Sequence, residues 1–359
     1  LNQRFCSLLE KSIDEVIGKT DYDFFSPELA QKYRADDQRV MESNQTFEDV
    51  EENKVSHHET RYVHVIKTPI HDVNGRVIGI QGIFWDITER KRAEEELRNA
   101  HDRLKQDLIA AAKVQRGFIP EKVPEIPGYE FSWLFEPSEY VGGDLLNVIP
   151  LGNEQWAFYV LDVSGHGVPA ALLSVSLTRL IDQISHMNGS DSGLESITEA
   201  GFDPGEVVRI LQRQFPGDRT KFCTILYAIL DTTQAKITWI RAGHLPPLLL
   251  HGTSKQTEFL TEPGTGCISK LLINRTEVKT GSLVLAPGDR FIVYSDGIIE
   301  AMKEHEEYGY ERFADKIRDT ADESLSASMK TVFDDVAGWT GSQDFGDDVT
   351  LLGLERTEG

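Results

Sequence analysis

Aspartates recur in this chain where an apolar run gives way to a turn, or a turn to an apolar run. Asp144 ends Y-V-G-G-D, Asp162 lies in V-L-D-V-S-G-H-G, and Asp296 ends D-R-F-I-V-Y-S-D. Asp347 and Asp348 immediately precede V-T-L-L-G-L. Each apolar run reads as a strand, so acids from four distant segments stand at strand ends. A buried carboxylate needs a partner, and a positive group is expected opposite Asp162. Bare carboxylates about 5 Å apart repel by about 3 kcal/mol per pair at an effective dielectric near ~20. Gathered in one place, they either titrate up or hold divalent cations. An all-oxygen donor set of this kind suits Mg2+ or Mn2+ rather than zinc. Singly, each Asp is an ordinary turn or cap residue; their recurrence in one setting points to a shared site.

The elements that must carry these acids are legible around them. Trp156 to Val163 is apolar except for Asp162, and Gly165 and Gly167 turn it from strand to loop. Pro169 fits the first turn of a following helix, where its missing N–H costs nothing. Leu173, Leu177, Leu180, Ile181 and Ile184 recur at helical spacing and should face a core. Gly142 and Gly143 let the backbone approach a ligand closely or turn sharply. Farther on, Pro204 to Phe215 reads as a helix. Phe222 to Leu230 and Lys236 to Ile240 read as strands joined at D-T-T-Q, with a polar loop at 188–192 before them. Cys223, inside an apolar strand, reads as core packing.

Five blocks occur in a fixed order: G-G-D at Asp144, D-V-S-G-H-G-V-P-A-A-L-L from Asp162, R-A-G-H-L-P-P from Arg241, P-G-D-R-F-I-V-Y-S-D-G-I-I-E-A from Pro287, and G-D-D-V-T-L-L from Gly346. They resemble the signature blocks of the PPM metal-dependent serine/threonine phosphatases, in the bacterial SpoIIE-like branch of RsbU and RsbP type. The resemblance runs from about Ala110 to Leu354 and implies an α+β fold, a β-sandwich flanked by helices (αββα). It implies that Asp144, Asp162, Asp296 and Asp347 are catalytic metal ligands for two Mn2+ or Mg2+ ions, with the carbonyl of Val163 contributing. Asp348 is then an alternative to Asp347, or an acid orienting a metal water. A metal-activated water attacks phosphorus, and no covalent nucleophile is needed.

His166 is the candidate general acid, weighed against a turn residue beside solvent. The family's eukaryotic branch has its histidine two positions after the aspartate, where this chain has Ser164. His244, in A-G-H-L-P-P, reads as ordering its loop. Three residues after Asp144 the branch has a second aspartate and this chain has Asn147, which puts any third metal in doubt. The implied substrate is phosphoserine or phosphothreonine on a STAS-type anti-sigma antagonist. The rival reading is a non-catalytic PAS/coiled-coil scaffold with a degenerate phosphatase domain. Leu145 after G-G-D breaks the G-G-D-E-F pattern of a cyclic-dinucleotide cyclase, and the glycine-rich ATP lid of a histidine kinase is absent.

Residues 1–86 read as a small α+β module. A helix is expected from Glu28 to about Val40, a strand over Thr60 to Pro69, and a hairpin at Asn74–Gly75 feeding a long strand. With D-I-T at Asp86 to Thr88, the module resembles the second half of a PAS sensor domain. Two strands of that fold would precede Leu1, so it reads as N-terminally incomplete. Its ligand is unknown: Cys6 does not match the flavin-binding context. His57, His58, His64 and His71 are haem-ligand candidates weighed against solvated or hydrogen-bonded histidines.

Residues 87–117 have no Gly or Pro before Gly117 and mix charges of both signs, which predicts one long helix. Its seam runs Ala93, Leu97, Ala100, Leu104, Leu108, Ala111, then Val114 or Gln115, then Phe118. The two successive four-steps at Leu104 and Leu108 are a stutter in a heptad pattern. A parallel dimeric coiled coil relaying a PAS signal is expected, giving a homodimer. Residues 118–359 form the expected phosphatase domain.

Composition bounds these readings. The formal net charge of −22 disfavours nucleic acid and anionic membrane surfaces. Three scattered cysteines supply neither a disulfide framework nor a CxxC metal site, which fits a cytoplasmic protein. No apolar run reaches the ~20 residues of a membrane span, and no signal-peptide pattern opens the chain.

Overall fold

A computed structural model describes residue 6 and residues 11–56, 59–186, 203–271, 278–341 and 345–357, the side chains of 52–56, 59, 60 and 186 excepted. The chain divides into two compact units, Leu1–Leu104 and Lys105–Gly359.

In the first unit, helix α1 (Ile13–Val16) starts at a Ser12–Glu15 capping box. Helix α2 (Pro27–Ser43) has Ser26 at its N-cap, Pro27 at its first position and Asn44 in the left-handed region at its end. Strands β1 (Phe47–Ser56), β2 (Glu59–His71) and β3 (Val77–Asp86) form an antiparallel meander. The Asn74–Gly75 turn is held by Asp72, whose Oδ1 accepts from the backbone N–H of Asn74 and of Arg76. Lys67 ties α2 to the sheet: its buried ammonium donates to Asp37 at 2.6 Å and to the Tyr33 carbonyl at 3.1 Å. His64 bonds Glu48 at 2.8 Å and packs at a tilt against the Trp85 ring, and His71 bonds Asn44. His57 and His58 lie outside the described residues.

Helix α3 (Thr88–Arg116) opens where Asp86 Oδ1 accepts from the Thr88 N–H. Along it only Thr88 and Gln115 are buried, one at each end.

In the second unit β4 (Tyr129–Glu136) closes a five-stranded sheet of order β10-β9-β13-β16-β4. The second sheet runs β12-β8-β7-β6-β5 with β11 beside β7. Its middle is β5 (Leu145–Gly152), β6 (Gln155–Val163), β7 (Phe222–Asp231) and β8 (Lys236–Ala242). The other strands are β9 (Leu248–Leu250), β10 (Thr257–Phe259), β11 (Ile268–Ser269), β12 (Gly281–Val284), β13 (Arg290–Tyr294), the small separate hairpin β14 (Met302–Lys303) and β15 (Glu306–Glu307), and β16 (Val349–Arg356). The β7–β8 turn is built on Asp231, whose Oδ1 accepts from the Thr233 and Gln234 N–H groups.

Period-two alternation divides the apolar residues among three layers. Phe131, Leu146, Phe158, Phe291, Leu352 and Leu354, drawn from both sheets, pack together between them. Tyr159, Leu161 and Tyr227 face the other way, onto α4 (Gly167–His186) and α5 (Pro204–Gln214). On the far side Tyr294 and Leu351 pack under α6 (Asp296–Ile299), α7 (Gly309–Asp319) and α8 (Leu325–Thr340). As the spacing predicts, Leu173, Leu177, Ile181 and Ile184 of α4 are buried, with Leu180 at the margin. The 188–192 loop lies outside the described residues. No helix among the described residues is long and apolar enough to cross a membrane.

Candidate active site

Register brings the acids together. Leu145 of β5 pairs with Leu161 of β6, so the next step of the ladder sets Asp144 opposite Asp162. In the other sheet Tyr294 pairs with Leu351, and the Ser295 N–H donates to the Thr350 carbonyl at 3.0 Å. Asp296 leaves β13 at the same end at which Asp347 enters β16.

The loop carrying Asp144 is held from two sides. Asp348, buried, accepts the Ser138 N–H at 2.8 Å and Ser138 hydroxyl at 3.0 Å on Oδ1. Its Oδ2 accepts the Gly143 N–H at 2.6 Å and the Asp144 N–H at 3.2 Å. From the end of α3, the buried Gln115 amide donates to the Gly142 carbonyl at 2.6 Å and accepts its N–H at 3.2 Å. The glycines are there for close approach. A Cβ on Gly142 would lie 2.2 Å from Asp348 Oδ2, and one on Gly143 2.6 Å from the Val163 carbonyl oxygen.

Asp144 itself is 2 % exposed, and its Oδ2 accepts the Thr350 hydroxyl at 2.6 Å. Ser295 links the two walls of its own sheet, donating its hydroxyl to the Asp348 carbonyl at 3.1 Å and accepting the Thr350 N–H at 2.9 Å.

The electrostatics are those of crowded acids. Burial, then Asp162 and Asp348, pushes the Asp144 carboxyl well above the usual aspartate range, against hydrogen bonds from Thr350 and Ser295. Asp162 is pushed up to about 7 by burial and by Asp296, Asp347, Asp348 and Glu300. Asp296 rises to about 6, by burial and then Asp347 and Glu300. Asp347 is raised by burial, while the Asp348 N–H and His166 pull it down. The groups that raise Asp162 are further carboxylates, gathered there by strand-end register.

Among the described residues no three acids already stand at metal-shell spacing. Their chemistry nonetheless fits hard divalent cations: every donor is oxygen, and Asp144 is a buried carboxylate whose charged neighbours repel it.

His166 is exposed at the rim, its Nδ1 3.2 Å from Glu139 Oε1. His244 lies buried beneath the site, its Nδ1 2.8 Å from the Thr224 hydroxyl, and burial holds it down to about 4. Thr224 is the β7 partner of Asp162, so His244 stays neutral and supports that strand from behind. Asn147 bonds the Val148 N–H and lies beside its ladder partner Tyr159, on the face under α4. Cys223 is buried opposite Val163, its thiol pushed up by burial.

Glu300, Ser138, Glu139, Ser295 and Thr350 were not singled out by sequence, and Gln115 only as an alternative seam position of α3. Two of them had a signal. Glu300 follows Asp296 by four residues, one helical turn. In D-D-V-T-L-L-G-L, Asp348 and Thr350 stand on the same alternation as Leu352 and Leu354, so they are polar residues in a core-facing stripe.

Residues 152–357 match the family described as Stage II sporulation protein E (SpoIIE), and residues 1–92 match a PAS fold. The phosphoserine phosphatase RsbU of Bacillus subtilis (strain 168) is 24% identical over 266 residues, covering 73% of this chain and 73% of its own. The phosphoserine phosphatase RsbP of the same strain is 26% identical over 204 residues, covering 55% of this chain and 46% of its own. The chain spans about half the length of two of the curated relatives it matches, RsbP among them. The solved SiaA-PP2C domain of Pseudomonas aeruginosa shares the fold, with a TM-score of 0.59 at 21% identity over 71% of this chain and 98% of that one.

Proposed function

The chain belongs to the SpoIIE family and carries a PAS fold at its N-terminal end, and from that membership we propose that it is a sensor-regulated, metal-dependent protein serine/threonine phosphatase. The observation that carries the reading is the set of mutually repelling carboxylates, Asp144 and Asp162 from one sheet and Asp296 and Asp347 from the other. Asp144, Asp162, Asp296, Asp347 and the Val163 carbonyl are the proposed donors for two Mn2+ or Mg2+ ions. Asp348 is assigned to the Asp144 loop, since its two oxygens already serve four donors.

When bound, such ions activate water for in-line attack and neutralise charge on the phosphoryl group. The chain's own residues hold the donors in place and keep the serine or threonine leaving group at the open rim. There His166, oriented by Glu139, is the candidate to return a proton to the departing oxygen. The two facing sheets are read as the family's αββα sandwich. The substrate is proposed as phosphoserine or phosphothreonine on a STAS-type partner; the phosphoserine activity of RsbU and RsbP supports the first of these groups. Helix α3 is proposed as a dimeric coiled coil whose far end, through Gln115, bears on the Gly142 backbone.

The test is hydrolysis of p-nitrophenyl phosphate and of a phosphoserine peptide with Mn2+, Mg2+ or chelator, using Asp162→Asn as control. Metal-dependent turnover lost in the variant is expected. Absence of turnover with either metal would leave the scaffold reading.

A further inference from the structure

We propose that Thr350 is a positioning residue for the metal centre, acting through Asp144 without touching substrate; this rests on the phosphatase reading given above. Its place in β16 is the starting point. Leu352 and Leu354, two and four residues on, belong to the core between the sheets, so a residue at 350 is bound for that core as well. There the chain spends a hydroxyl. Thr350 is fully buried, and a buried hydroxyl must find a partner.

Its one proton goes across the sheets to Asp144 Oδ2, at 2.6 Å. Its backbone is fixed as well: the N–H donates to Ser295 Oγ at 2.9 Å, and the carbonyl accepts the Ser295 N–H at 3.0 Å. The hydroxyl therefore approaches Asp144 from a backbone pinned at both ends. Two residues earlier, Asp348 Oδ2 takes the backbone N–H of Gly143 and of Asp144. One short run, Asp348 to Thr350, thus holds Asp144 by backbone and side chain together. Committing Oδ2 to Thr350 fixes the plane of the carboxylate, and with it the direction from which Asp144 can meet a cation. Groups that orient a ligand in this way commonly govern metal affinity by about ten- to a hundredfold.

The separating substitutions are Thr350→Val, which keeps the shape and removes the donor, and Thr350→Ser, which keeps the donor and removes a methyl. Thr350→Ala serves should the valine variant fail to fold. In the full chain, Mn2+ binding is measured by calorimetry, metal-free stability by thermal melting, and p-nitrophenyl phosphate turnover as kcat and KM. Thr350→Val is expected to bind Mn2+ about tenfold or more weakly and to lose kcat with KM little changed. Thr350→Ser is expected to stay within about threefold of the unsubstituted chain. Unaltered Mn2+ affinity in Thr350→Val overturns the proposal. So does a serine variant that loses affinity in step with its melting temperature, since Thr350 would then serve packing alone. If the unsubstituted chain binds no Mn2+, the reading of the site falls and the role of Thr350 with it.

Discussion

Asp162 and Asp296 hold protons at pH values where ordinary aspartates have lost them, with folded values of about 7 and about 6 against an ordinary 3.8. Between about pH 4 and 7 the folded, metal-free chain therefore binds more protons than the unfolded chain. By linkage its stability falls as pH rises through that window. Divalent cations need the same groups deprotonated, so stabilisation by Mn2+ should be small at pH 5 and should grow to pH 7.5. Melting curves with and without Mn2+ across this range check it. A metal-induced shift that does not vary with pH would contradict the shared-site picture. Asp162→Asn should flatten the metal-free slope. The five aspartates were legible in the sequence because a charge at the end of an apolar run is conspicuous. The residues that hold them were not, since Thr350, Ser138 and Ser295 act through hydrogen bonds between positions more than fifty residues apart, which no local spacing encodes.

The G-G-D turn has the more exacting geometry. Sequence left two roles open for its glycines, a sharp bend or a close approach to a ligand, and the packing adds a third, room for the chain's own Asp348 and Val163. Asp348 and Val163 come in from β16 and β6 so near that neither Gly142 nor Gly143 has room for a Cβ. Gly142→Ala should force Asp348 off its donors, destabilising the fold by about 1–3 kcal/mol as overpacked cores do. It should weaken Mn2+ binding at the same time. Urea unfolding and a metal titration of the same sample check both, and an alanine variant with unaltered midpoint and affinity would refute the close-approach account. Individual elements were well marked in the sequence: the strand into α4, the Asn74–Gly75 hairpin, the break at Gly117. Sheet order was not, because pairings such as β16 with β4 join segments about 220 residues apart and depend on which apolar faces can be buried together. The seam of α3 was left ambiguous between Val114 and Gln115. The second unit buries Gln115, through its bonds to Gly142, and leaves Val114 66 % exposed.

At the scale of the whole molecule, α3 is the element whose burial is unfinished. Leu97 is 73 % exposed and Leu104 59 %, yet both lie on the heptad seam, where a second helix would cover them. Charge favours the same contact. The chain carries a net −22, so two copies repel each other through most of their surfaces. The run from Thr88 to Arg116 has eight Lys and Arg against six Asp and Glu, so it is the stretch along which copies can approach without that penalty. The proposed coiled coil predicts a light-scattering mass of twice the 40.4 kDa chain. Leu97→Glu with Leu104→Glu should return the mass to that of a single chain. Added salt should strengthen the unsubstituted dimer, since it screens the repulsion between the acidic bodies over about 8–10 Å. Because neither leucine lies in the unit that carries the aspartates, metal-dependent turnover of a small substrate should survive the double substitution within a few-fold. A single-chain mass for the unsubstituted protein at micromolar concentration would remove the coiled coil. Loss of turnover together with the dimer would mean that the site depends on the partner chain.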